Sequence, residues 1–66
     1  MSMLKNTIKK VLLTNPGVKL SYANIFMKIY PESSDYTKYQ TIEERCTELY
    51  ASGEIYLSNG KFYKLL

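Results

Sequence analysis

Apolar residues in the first segment, Met3 to Thr14, recur at Leu4, Ile8, Val11 and Leu12, a spacing that predicts one face of an amphipathic helix. Lys5, Lys9 and Lys10 fall off that stripe. Asn15-Pro16-Gly17 stops the helix, because proline has no amide proton and disfavours a helical residue before it. Val18-Lys19-Leu20 alternates apolar, polar, apolar, enough for one short strand paired with a hairpin. Ser21 suits the N-cap of a second helix, Tyr22 to about Tyr30, with Tyr22, Ile25, Phe26 and Ile29 inward, Asn24 and Lys28 outward, and Pro31 ending it. Ser34 or Asp35, in a turn-rich connector, can cap a third helix from about Tyr36 to Ser52. Its apolar side holds Tyr39, Ile42, Cys46, Leu49 and Tyr50, and Gly53 stands where a helix stop takes positive φ.

The remaining segment predicts a hairpin around Asn59-Gly60, in one of two registers. A two-residue loop pairs Leu57 with Phe62 and puts Lys64 on the Ile55/Leu57 face. A three-residue Ser58-Asn59-Gly60 loop, with Gly60 as a left-handed bulge residue, shifts the pairing by one. Ile55, Leu57, Tyr63 and Leu65 then share the inner face, with Glu54, Tyr56, Phe62 and Lys64 outside. The bulged register sorts apolar from polar better, and a one-residue slip exchanges the faces, so it is the expected arrangement.

Helix, short strand, helix, helix, strand, strand is an α+β order, mainly α, and 66 residues make one domain, 1–66. Cys46 is the only cysteine, so no disulfide closes within the chain, and its helical position suits a small core residue. No apolar run reaches the length of a membrane span, and the opening Met-Ser-Met-Leu-Lys-Asn lacks the apolar stretch of a signal peptide. A cytosolic protein without membrane contact is therefore expected, in the host cytosol if the source is a virus. Histidine is absent, no glycine-rich phosphate loop occurs, and the lone thiol has no base beside it, so neither catalysis nor a metal or cofactor site is expected. Formal charge is +3, from nine Lys/Arg against six Asp/Glu, which favours an anionic partner.

Two stretches carry a family resemblance. Pro16-Gly17 followed by Val18 through Ile25, and Leu49 through Leu65 with Gly53 and Asn59-Gly60, resemble the winged helix-turn-helix family over essentially the whole chain. The resemblance implies three helices, a short strand and a C-terminal β-hairpin wing. It also implies that the third helix enters a DNA major groove while the wing lies along the backbone or minor groove. The function it suggests is a small sequence-specific transcriptional regulator of viral, phage or plasmid type. A homodimer is expected, because one domain touches few base pairs and two half-sites remedy weak affinity. The first helix or the wing aromatics could supply the dimer surface.

On that reading Thr37, Lys38, Gln40, Thr41, Glu44 and Arg45 line the exposed face of the third helix, with Arg45 able to fork onto guanine. Lys61 and Lys64 on the wing would hold phosphates, and Tyr56 and Phe62 between them would stack or form an interface. Glu43, Glu44 and Glu48 argue the other way, since carboxylates repel phosphate. They motivate an alternative of another class: a winged-helix module that binds protein, such as a phage-type inhibitor or modulator of a host enzyme.

Overall fold

The computed structural model describes residues 3–65, so positions 1, 2 and 66 of the expected 1–66 domain lie outside the described residues. Three helices precede a two-stranded antiparallel hairpin: α1 (Met3–Thr14), α2 (Tyr22–Ile29), α3 (Tyr36–Ala51), β1 (Tyr56–Ser58) and β2 (Lys61–Tyr63). Three of the helix boundaries have a clear local cause. Ser21 Oγ accepts from the Asn24 amide at 3.1 Å while the Ser21 amide donates to Asn24 Oδ1 at 3.3 Å, a reciprocal cap that opens α2. Asn24, expected outward, is therefore half-buried in that cap. Asp35 rather than Ser34 caps α3, accepting from the Thr37 amide at 2.8 Å. At its far end Gly53 takes φ +80° and the Glu54 amide returns to the Leu49 carbonyl at 3.0 Å, which satisfies carbonyls the helix leaves open.

The apolar stripes meet in one core of Ile8, Leu12, Ile25, Phe26, Ile42, Cys46, Leu49, Ile55 and Phe62. Tyr50 does not join it: 48% of its surface stays exposed. It follows Leu49 directly, so the two side chains diverge by about 100° on a helix of 3.6 residues per turn, and Leu49 takes the inward direction.

Cys46 has no exposed surface, and loss of solvation pushes its thiol from 9.0 up to about 12. The sign follows from proton binding. Between those values the folded state holds a proton that the unfolded state has released, so the thiol's contribution is intact below pH 9 and fades as pH rises towards 12. At pH about 10 the loss should be roughly 1.4 kcal/mol. Urea titrations of wild type and Cys46→Ala at neutral and alkaline pH isolate it, because the tyrosines and lysines titrate in both proteins. A stability gap that does not change with pH would refute the buried thiol.

The hairpin adopts the register that the sequence reading disfavoured. Tyr56 pairs with Tyr63, Leu57 with Phe62 and Ser58 with Lys61 around a two-residue Asn59-Gly60 loop. Both loop residues have positive φ, 50° and 76°, the combination for which Asn-Gly is suited and which matches the twist of the strands. Phe62 is consequently buried, with 1% exposure, where an outward ring was expected. Leu57 and Leu65, expected inside, are 40% and 54% exposed.

The physical reason lies outside the hairpin. Leu20 and Phe62 exchange both backbone hydrogen bonds, at 2.8 and 2.7 Å, so the short 18–20 segment forms a single bridge to β2. That bridge turns Phe62 to the same side as Leu20, over the helices, where the Tyr22 ring meets it at 5.0 Å. The awkward consequence, Lys64 on the inner side, is relieved because its ammonium donates to the Glu54 carbonyl at 2.8 Å. Lys64 is thus half-buried and tethered, not outward as expected.

Candidate nucleic-acid interface

Charge on this surface is distributed by pairing. Glu48 is gripped twice, by Arg45 Nη1 at 2.6 Å and by Lys5 Nζ of α1 at 3.0 Å. Arg45 Nη2 also lies 3.7 Å from Glu44. Glu54 accepts from Lys9 Nζ at 3.0 Å, and the Ser52 hydroxyl approaches it at 2.7 Å. The Arg45 hydrogen bond, then that of Lys5, holds the Glu48 carboxyl below its ordinary range; Ser52 first, then Lys9, does the same for Glu54. Exposed pairs of this kind contribute little stability singly and are screened by salt. Their larger effect is on the field: they cancel charge at the junction of α1 with the C-terminal half of α3.

Arg45, expected to reach guanine, is therefore committed to two carboxylates on its own helix. Lys5 and Lys9, off the apolar stripe of α1, are spent on α3 and on the turn after it. Lys10, Lys19, Lys28, Lys38, Lys61 and Lys64 have no carboxylate within the 4.0 Å of an ion pair among the described residues.

The N-terminal half of α3 is different in character. Thr37, Lys38 and Gln40 are exposed and Thr41 is half-exposed. Thr41 Oγ1 donates to the Thr37 carbonyl at 3.0 Å, which keeps its lone pairs available. Lys38 Nζ sits 5.0 Å from the centre of the Tyr30 ring, an arrangement that orients the ammonium without neutralising it. Beneath lies an aromatic cluster in which Phe26 meets Tyr39 edge-on at 5.5 Å and Tyr36 stacks on Tyr39 at 6.3 Å. This packing gives the start of α3 a rigid base. The Asp35 carboxylate accepts from the Thr37 amide at the start of the helix, so an anion approaching that end would meet a like charge.

On the hairpin, Tyr56, Ser58, Lys61 and Tyr63 occupy the side opposite Phe62, as strand alternation requires. Tyr56 and Tyr63 are cross-strand neighbours with ring centres 5.4 Å apart, and Lys19 Nζ lies 5.8 Å over the Tyr63 ring. Of the expected wing residues, Tyr56 and Lys61 face outward and Phe62 does not. Lys19 and Tyr63 were missed. The signal for them was present, because an Asn-Gly loop of two residues puts Tyr63 outside, and alternation from Leu20 puts Lys19 beside it. Elsewhere, a shallow groove of about 330 Å³ is lined by Val11, Leu12, Thr14, Asn15, Val18, Leu20 and Lys28, none of them in α3 or the hairpin.

No protein-family model, curated protein or solved structure matches this chain. Among the described residues no helix is long and apolar enough to cross a membrane.

Proposed function

We propose that this protein is a duplex-DNA-binding regulator of the winged helix-turn-helix kind, docking through the N-terminal half of α3 and the hairpin. One observation carries the reading: the acidic side chains Glu44, Glu48 and Glu54 are engaged by Arg45, Lys5 and Lys9, while Lys38 and Lys61 keep uncompensated charge beside hydrogen-bonding side chains. Gln40 carries an exposed amide of the kind that bridges the N6 and N7 edge of adenine, and Lys38 and Lys61 carry charge suited to phosphates. The bridge from Leu20 to Phe62 supports the same reading, since it anchors the hairpin to the segment leading into α2. A second copy on an adjacent half-site would supply the affinity that one helix lacks.

A protein partner has its own supporting observation: Tyr36 and Tyr50, at the two ends of α3, are 68% and 48% exposed. An anisotropy titration with random and genomic duplexes over a salt series separates the two. Wild type should show log Kd rising steeply with log salt. Lys38→Ala with Lys61→Ala should flatten that slope by about two units, near one for each phosphate that is no longer neutralised. Weak binding that ignores salt would move the assignment to the protein partner.

A further inference from the structure

We infer that the outer face of the hairpin is a stacking site for unpaired nucleotides, distinct from the duplex contact of α3 and sharing Lys61 with the duplex contact proposed for the hairpin. Three side chains form a row across that face: Lys19 over Tyr63 at 5.8 Å, and Tyr63 against Tyr56 at 5.4 Å. Backbone pairing enforces the row, because Lys19, Tyr63 and Tyr56 flank the inward row of Leu20, Phe62 and Leu57. The outward positions of the three paired segments are Lys19, Tyr56, Ser58, Lys61 and Tyr63, with no carboxylate among them. Lys19 and Lys61 have no acidic partner among the described residues.

Two features select single strands. Tyr56, its ring tilted 42° from that of Tyr63, ends the row on an edge strand with 44% of its surface exposed, which leaves room for a further ring beside it. A base inside a duplex offers no free face; an unpaired one does, and every base has one, so such a site tolerates sequence. Lys61, at the turn end of the same side, is placed for the phosphate that accompanies a stacked base. The charge is complementary to a polyanion and gives an acidic protein no pocket to fill. Neither Tyr56 nor Tyr63 belongs to the core cluster, so altering Tyr56 leaves the core packing in place.

The test uses the whole chain with oligothymidylate, oligouridylate and a blunt duplex as probes, reading tyrosine fluorescence and probe anisotropy. Wild type should bind both single strands with quenching. Tyr56→Ala should weaken single-strand binding roughly tenfold or more while the duplex and the melting temperature change little, and Tyr56→Phe should retain it. Lys61→Ala should flatten the salt dependence yet keep the quenching. Absence of single-strand binding overturns the site. So does equal loss of duplex and single-strand binding in Tyr56→Ala, or a Tyr56→Leu variant that binds as well as wild type. Self-association abolished by Tyr56→Ala, without single-strand binding, would make the face a contact between copies instead. A protein that binds single strands but no duplex would sustain this site and refute the α3 reading.

Discussion

Phe62→Ala is expected to cost about 3–5 kcal/mol, the usual range for deleting a buried phenylalanine ring. Domains of this kind have stabilities of roughly 0.05–0.15 kcal/mol per residue, so a chain this short has little margin over that loss. Phe62 is 1% exposed and stands where the hairpin, the 18–20 segment and Tyr22 of α2 converge. Removing the ring leaves a void under all three, and Leu20 loses the side chain it packs beside across that bridge. Leu57→Ala is the matched control. Leu57 faces Phe62 across the ladder but is 40% exposed, so its truncation should cost about 1 kcal/mol or less. Urea unfolding followed by circular dichroism gives both values. In the bulged register the ranking would be reversed, with Leu57 buried and Phe62 outside. A larger loss for Leu57→Ala than for Phe62→Ala would therefore overturn the observed pairing.

That contrast also marks where sequence reasoning stops. Helices α1, α2 and α3 were legible because their cores repeat at helical spacing and their ends carry local punctuation: Ser21, Asp35, Gly53 and the prolines at 16 and 31. Those signals act within one turn of backbone. The hairpin was chosen by amphipathic sorting of its own residues, which weighed Leu57, Tyr63 and Leu65 as a group against Phe62 and Lys64. The deciding partner, Leu20, lies more than forty positions away, and no local pattern announces that its two hydrogen bonds fall on Phe62. Lys64 on the inner side looked costly for the same reason. The Glu54 carbonyl that receives it becomes apparent only when β2 is placed beside the end of α3.

The site followed the same division. Exposure of Thr37, Lys38 and Gln40 follows from helical periodicity and was legible. The fate of Arg45 was not, because two things compete for it: its position along the face suggests reading a base, while Glu48 three residues on offers a carboxylate at close range. Helical spacing places Lys5 and Lys9 off the apolar stripe of α1, and only the packing of α1 against α3 reveals the acids that meet them. Of the acids on α3, Glu48 is met by Lys5 of α1 and by Arg45, Glu44 by Arg45 of the same helix, and Glu43 by no ion pair among the described residues.

Gln40→Ala should accordingly lower affinity for the preferred duplex by about 1–3 kcal/mol, between several-fold and more than a hundredfold, with little change on random DNA. Arg45→Ala should behave differently. Its guanidinium holds Glu48 and approaches Glu44, so alanine releases carboxylate charge near the duplex and weakens binding on preferred and random sequences alike. Base discrimination should survive. The complementary change, Glu44→Gln with Glu48→Gln, frees Arg45 and removes two negative charges, so affinity should rise on every sequence, most at low salt where exposed charges are least screened. Competition titrations with preferred and scrambled duplexes at two salt concentrations measure both terms at once. Loss of discrimination in Arg45→Ala, with Gln40→Ala silent, would show that Arg45 leaves Glu48 to read a base. A double glutamine variant with unaltered DNA affinity would detach the α3 face from the duplex altogether. The Tyr36 end of the helix would then be the surface to test against a protein partner.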